Sequence, residues 1–198
     1  MGFVSISPYD ISMPADSPRR RPDVDTVELI GGIEKRALSL NEYDPSWPEQ
    51  FDLHRVRVSD ALGATALLIE HIGSTSVPGL AAKPIIDILV VVSDITAEED
   101  YLDQLLAAGY RLRVREPGHR LVRTEQLDVH IHLLETADPA IEDYLLLRDQ
   151  LRNAPADREQ YERVKRDLLS QDWPDMNSYA EAKTTVIEEI KARARQHR

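Results

Sequence analysis

Between Pro84 and the pair Ser93-Asp94 runs Ile85-Ile86-Asp87-Ile88-Leu89-Val90-Val91-Val92, apolar at every position but one. The run has strand length, is rich in β-branched side chains and lacks the alternation of a half-exposed strand, so it reads as a buried strand. Around it the patterns point to both regular structures. Residues 66–72 read as a second strand, and residues 110–115 with 120–123 as a hairpin turning at Glu116-Pro117-Gly118. Residues 127–134 alternate cleanly, with Asp128, His130 and His132 on one face and Val129, Ile131 and Leu133 on the other. Residues 36–43 read as an edge strand. One helix is expected from a cap at Ser46 through Pro48, Phe51 and Val58 to Gly63, and another from a cap at Thr96 to Gly109. From Pro139 onward only helical patterns remain. The expected fold is therefore α+β: a mixed sheet of about five strands flanked by helices, with a helical segment from about residue 139 packed on it.

At 198 residues a single domain is expected. Residues 1–35 are expected to lie outside it as a flexible, proline-rich extension, because Pro8, Pro14, Pro18 and Pro22 break regular structure; residues 26–34 read as a short helix or an ordered lead-in to a domain over 36–198. The chain has no cysteine, which excludes a disulfide scaffold, a thiolate zinc site, an iron–sulfur cluster and a cysteine nucleophile. With 24 Lys and Arg against 35 Asp and Glu, the formal net charge is −11, so a nucleic-acid polymer is not an expected partner. No segment approaches the roughly 20 apolar residues that span a bilayer, so no membrane partner is expected and the protein is expected to be cytoplasmic. These patterns set no oligomeric state.

The residues with chemistry lie between Glu70 and His132. A strand ending at Gly73 is followed by Ser74, Thr75 and Ser76, then by Gly79, Lys83 and the apolar strand carrying Asp87. Small residues after a strand let backbone N–H groups approach an anion, and hydroxyls add donors. Lys83 could neutralise a phosphate, and Asp87 could hold a divalent cation that bridges phosphates. The plainer alternative is a tight loop whose Gly and Pro set its geometry and whose hydroxyls merely cap it. The spacing of Gly73 and Gly79 fails the Walker pattern, and G-x-S-x-G is absent.

Same-face residues two apart on a strand sit about 6–7 Å apart, so Asp128, His130 and His132 can converge on one metal or one phosphate. A polar strand face beneath a loop is the alternative. Arg111, Arg113 and Arg115 alternate along one strand, and Arg120 and Arg123 return on the next. They read either as a phosphate-binding patch, with Arg120 and Arg123 leading towards the histidines, or as a charged edge protected against aggregation. Arg148, Lys165 and Lys183 in the helical tail are weaker candidates for reaching the site.

The run Asn41-Glu42-Tyr43-Asp44-Pro45-Ser46-Trp47-Pro48 and the stretch from His71-Ile72-Gly73-Ser74-Thr75-Ser76 through Lys83-Pro84-Ile85-Ile86-Asp87 resemble the GrpB family. So do His130-Ile131-His132-Leu133, Leu147-Arg148-Asp149-Gln150-Leu151-Arg152 and Tyr179-Ala180-Glu181-Ala182-Lys183, which extends the resemblance from about residue 36 to the C-terminus. The family is similar to the nucleotidyltransferase superfamily, with its polymerase-beta-like core, and occurs fused to dephospho-CoA kinase. The resemblance implies that Gly73 and Ser74 hold the triphosphate of a nucleotide, that Asp87 is the first metal-binding carboxylate, and that His130, His132 or Asp128 stands where a third acidic residue is expected. Joined to the reading of the residues themselves, it leads to the expectation that Gly73, Ser74, Thr75, Ser76, Lys83 and Arg120 hold a nucleotide or other small phosphorylated ligand, and that Asp87, His130 and His132 are catalytic and hold a divalent metal, Mg²⁺ or Mn²⁺, for transfer of a nucleotidyl or phosphoryl group to a small molecule. The superfamily's second carboxylate is replaced here by Leu89 in Asp87-Ile88-Leu89. Either the site uses a different metal or a histidine base, or it binds a nucleotide or coenzyme without turnover.

Overall fold

In a computed structural model that describes residues 19–34, 39–174 and 176–196, the apolar run becomes strand β3 (Ile86–Val92), buried near the middle of a sheet. Among the described residues that sheet has six strands, in the order β1-β4-β5-β6-β3-β2. The others are β1 (Glu28–Leu29), β2 (Leu68–Ile72), β4 (Arg111–Glu116), β5 (His119–Arg123) and β6 (Val129–Glu135). β3 pairs parallel with β6 and every other pair is antiparallel, so the sheet is mixed.

The missing alternation in β3 follows from cover on both faces. Ile86, Ile88, Val90 and Val92 pack with Trp47, Val58 and Leu62 of α1 (Trp47–Leu62) and Leu102 and Leu105 of α2 (Leu102–Ala107). Leu89 and Val91 face the other way, onto Ile141 and Leu145 of α3 (Pro139–Asn153). Three further helices follow: α4 (Pro155–Leu169), α5 (Met176–Glu181) and α6 (Thr184–Gln196). Val77 and Leu80, from the loop after β2, pack with Leu151, Tyr161, Val186 and Ile190, so the helical tail closes over that loop. Among the described residues no helix is long and apolar enough to cross a membrane.

Several local expectations are corrected. The sixth strand, β1, comes from the segment read as a flexible extension: Glu28 and Leu29 pair with Arg115 and Val114 of β4. Arg113 donates to the carbonyls of Ile30 and Gly32, and buried Arg120 pairs with Asp23 and Glu98. Polar and backbone contacts hold residues 19–34, and a hydrophobic period cannot report them. Residues 1–18 lie outside the described residues. The expected edge strand over 36–43 reduces to a single bridge between Asn41 and Ala82; residues 35–38 are outside the described residues. Ser46 stands at the N-cap of α1 as expected but its side chain makes no capping hydrogen bond, and Thr96 caps no helix. The Ser46 N–H donates to Asp44 Oδ1 at 2.8 Å, and the Thr96 hydroxyl donates to Asp94 Oδ1 at 2.6 Å. A 3₁₀ turn at Glu98–Asp100 then precedes α2.

The arginine hairpin does not present one cationic face. A bulge between Leu112 and Val114 puts Arg111 opposite Arg123 and Arg115 opposite Arg120, so alternation breaks and the two pairs face opposite sides of the sheet. Each of these arginines has an acidic or carbonyl partner: Glu125 for Arg111, Glu98 for Arg115 and Glu34 for Arg123. Asp23→Ala is expected to destabilise the protein by about 1–3 kcal/mol, because it strips a partner from a buried guanidinium. Arg111→Ala, which breaks an exposed pair, is expected to cost less than about 1 kcal/mol. Urea unfolding of the two variants measures the difference.

Candidate functional site

β2 and β3 run antiparallel, and Ile72 is paired with Asp87, so the chain leaves β2 beside the carboxylate. Gly73 follows with φ 70° and ψ −176°, a conformation open essentially to glycine alone. A Cβ built there would overlap the Asp87 carboxylate. Gly73 therefore supplies both the turn and the space beside the acid. The loop then makes a 3₁₀ turn at Ser74–Ser76. Thr75 is buried; its hydroxyl donates to the Ile85 carbonyl at 3.0 Å and meets His71 Nε2 at 3.1 Å. His71 stacks on Phe51, and burial lowers its pKa to about 4, so it is neutral.

The parallel register of β3 and β6 pairs Asp87 with His130 and Leu89 with His132. Both imidazoles thus fall on the face of the sheet that carries Asp87. His130 Nδ1 and His132 Nε2 each lie 3.6 Å from Asp87 Oδ1. Burial alone would raise the Asp87 pKa, but His130 and His132 outweigh it and hold the carboxyl well below the usual carboxylate range. Among the described residues these three form the group able to hold a metal ion, with one donor atom from each lying within 4.8 Å of the others. Two donors about 2.1 Å from a common ion at a tetrahedral angle are about 3.4 Å apart, so separations of 3.6 Å fit a shared ion better than direct hydrogen bonds.

Opposite this group the helical tail supplies cations and aromatic rings. A cavity of about 490 Å³ is lined by Gly73, Ser74, Thr75, Lys83, Asp87, His130 and His132 from the sheet side, and by Tyr144, Arg148, Tyr161, Lys165, Tyr179 and Lys183 from the helices. Lys165 Nζ donates to Ser74 Oγ at 3.2 Å and to the Ala81 carbonyl. Burial and the neighbouring Lys183 push its pKa down to about 7. Burial also lowers Lys183, against the pull of Asp87. The Lys83 and Lys183 ammonium groups lie 4.1 and 4.7 Å from the centre of the Tyr179 ring. Burial pushes the Tyr144 and Tyr161 hydroxyls up to about 12, so both are neutral donors.

Seven of the nine residues expected at the site line this cavity: Gly73, Ser74, Thr75, Lys83, Asp87, His130 and His132. Ser76 and Arg120 do not. The Ser76 hydroxyl turns back to the Gly73 carbonyl at 2.6 Å, and Ser76 lines a separate cavity with Phe51, His71 and Arg152. Arg120 pairs with Leu133, so it projects from the sheet face opposite His130 and His132, where Asp23 and Glu98 neutralise it. Asp128 is likewise outside, accepting from the Thr124 hydroxyl at 2.6 Å. Of the weaker candidates, Arg148, Lys165 and Lys183 all reach the cavity. Sequence reasoning missed Tyr144, Tyr161 and Tyr179, which sit on amphipathic helices where an aromatic residue reads as core. It also missed His119, whose Nε2 lies 3.2 Å from His132 Nδ1.

A family model described as GrpB protein matches residues 37–193. The chain is 61% identical to a UPF0157 protein of Streptomyces coelicolor over 92% of this chain and 97% of that one. It is 45% identical to a UPF0157 protein of Halalkalibacterium halodurans over 88% and 92%. Among solved structures, the conserved protein GrpB from Enterococcus faecalis superimposes with a TM-score of 0.70 at 31% identity, covering 79% of this chain and 96% of that chain.

Gly73→Ala and Gly79→Ala separate space from backbone strain. Both glycines have positive φ, 70° and 77°, but a Cβ at Gly79 meets nothing within 4 Å. Gly79→Ala is expected to cost about 1–2 kcal/mol from conformation alone. Gly73→Ala adds about 1–3 kcal/mol of overpacking against Asp87. Thermal and urea unfolding of the pair measure the gap.

Proposed function

The chain belongs to the GrpB family, and from that premise we propose that its cavity binds a small phosphorylated ligand of the nucleotide class beside a divalent metal and transfers a nucleotidyl or phosphoryl group to a small molecule. The observation that carries this reading is the juxtaposition, in one cavity, of a metal-spaced Asp87-His130-His132 group and three lysines, Lys83, Lys165 and Lys183. Asp87, His130 and His132 would hold the ion, which when bound withdraws charge from a phosphoryl oxygen. Two imidazoles with one carboxylate favour Mn²⁺ or Zn²⁺ over Mg²⁺, which prefers oxygen donors and retains its waters. Lys165 and Lys183 compensate phosphate charge from the side opposite Asp87 and Lys83 from the loop beside it, and Ser74 steadies Lys165 by accepting its hydrogen bond. Tyr161 and Tyr179 offer ring faces and neutral hydroxyls to the uncharged part of a ligand.

One observation favours a second reading, binding without transfer. Leu89 stands where a second carboxylate would, is fully buried, and packs with Ile141 and Leu145, so this strand offers only one carboxylate to a metal. Calorimetry of the full chain with Mn²⁺, Zn²⁺ and a panel of nucleotides, followed by phosphorus NMR of each mixture, separates the readings. Transfer predicts new phosphorus species that disappear in Asp87→Asn, together with metal affinity reduced about 100-fold or more. Tight binding without products supports the second reading, and absence of both metal and nucleotide binding overturns the two together.

The cavity lysines give a pH signature. Lys165 is charged below about 7 and neutral above it. Nucleotide affinity is therefore expected to fall as pH rises from about 7 to about 9, by up to about tenfold per pH unit. Lys165→Met is expected to bind more weakly at about pH 7 and to lose most of that slope, read by calorimetry across the same range.

A further inference from the structure

His132 meets Asp87 with one ring nitrogen and His119 with the other. Its Nε2 lies 3.6 Å from Asp87 Oδ1, and its Nδ1 lies 3.2 Å from His119 Nε2. His119 Nδ1 in turn lies 2.6 Å from Glu116 Oε1. The positions of the protons follow from this chain of contacts. An ionised carboxylate only accepts, so His119 donates its Nδ1–H to Glu116. The two imidazoles stack with centres 5.3 Å apart and planes 18° from parallel, an arrangement that disfavours a positive charge on both. A neutral His119 then offers a lone pair at Nε2, and His132 fills it with Nδ1–H. The remaining lone pair of His132, on Nε2, points at the Asp87 carboxylate. A cation between that nitrogen and the carboxylate, across 3.6 Å, completes the contact.

We infer that Glu116 and His119 are positioning residues: they fix His132 in its Nδ1–H tautomer, so that Nε2 is presented as a metal ligand beside Asp87. The inference rests on the metal-binding reading of Asp87, His130 and His132. It assigns a function to the hairpin turn, because Glu116 ends β4 and His119 begins β5. It also distinguishes the two ligating histidines. His130 Nε2 is buried without a hydrogen-bond partner among the described residues, so the relay serves His132 alone. A hydrogen-bond acceptor behind a ligating imidazole, here His119 held in turn by Glu116, raises the basicity of that ligand, which suits an imidazole-accepting cation such as Zn²⁺ or Mn²⁺.

Two measurements on the full chain test this. Nitrogen-15 NMR of the metal-free wild type reads the tautomer directly: His132 as Nδ1–H is expected, and His132 as Nε2–H overturns the inference. Zn²⁺ titration then compares wild type with His119→Leu and His119→Gln. His119→Leu is expected to weaken Zn²⁺ binding about 10–100-fold. His119→Gln, whose amide oxygen can accept the His132 proton, is expected to recover most of that loss. A purely structural role would shift the melting temperature of both variants without separating their Zn²⁺ affinities, and equal affinities in wild type and His119→Leu overturn the inference. If Zn²⁺ uptake is lost in Asp87→Asn yet intact in His119→Leu, the metal reading stands and the relay falls. If wild type takes up no Zn²⁺ or Mn²⁺, both fall.

Discussion

Asp87 has to remain ionised on a strand whose next five residues are closed to solvent, and the structure around it is organised to meet that demand. Burial opposes its charge; His130 and His132 restore it. That pairing exists only because β3 and β6 run parallel in the register that sets Asp87 beside His130 and Leu89 beside His132. Shifting β6 by one residue would turn both imidazoles to the face packed by α1 and α2 and bring Ile131 to the acid. The parallel connection in turn needs a long crossover, and α2 with the β4–β5 hairpin provides it. Gly73 completes the constraint by leaving room for the carboxylate.

The two faces of the sheet divide the work. One is closed by α1 and α2 over Ile86, Ile88, Val90 and Val92, and is core along the length of β3. The other is apolar only at its far end, where Leu89, Val91 and Leu134 meet α3. Near the start of β3 it opens into the cavity, whose opposite wall comes from α4, α6 and the residues before α6. The tail helices therefore stabilise the loop after β2 and supply the cations facing the acid. A cationic wall inside a chain of net charge −11 suits a small polyanion, since the acidic exterior repels a long one.

The β3 strand, the His130-His132 face and the loop at Gly73 were legible because each follows from a local pattern: an apolar run, strict alternation, and a glycine among hydroxyls. Leu89 was marked by the family resemblance alone, as an apolar residue at the position where the Asp-x-Asp pattern has its second acid. What was not legible depended on register. Arg120 lies three residues from Arg123, and a regular strand puts those two on opposite faces, so their shared direction towards the histidines was never available. The bulge at Leu112 and Val114 divided the other arginines in the same way. β1 was missed because it is two residues long and held by Arg113 and Arg120, without an apolar stripe. His119 carried a weak signal, one histidine at a turn, and only the β5–β6 pairing brings it to His132.

The separation of arginine from lysine in this molecule has a physical basis. The guanidinium groups of Arg113, Arg115, Arg120 and Arg123 are spent on carboxylates and carbonyls, among them those of Ile30, Gly32, Glu28, Asp23 and Glu34, that join residues 19–34 to the sheet. Permanent charge and fixed fork geometry suit a join that must hold at every pH. The cavity instead gathers Lys83, Lys165 and Lys183, with Arg148 at its margin tied to Glu70 and Asp149. An ammonium on a flexible stem can lose its proton when crowded and desolvated, as Lys165 does near pH 7, and regain it when an anion arrives. Three guanidiniums in the same volume would retain their charge and repel one another in the empty cavity. Lysines allow the cationic wall to exist on its own, and on the proposed reading it would strengthen as an anionic ligand binds, so the choice of cation would itself be part of how the cavity recognises charge.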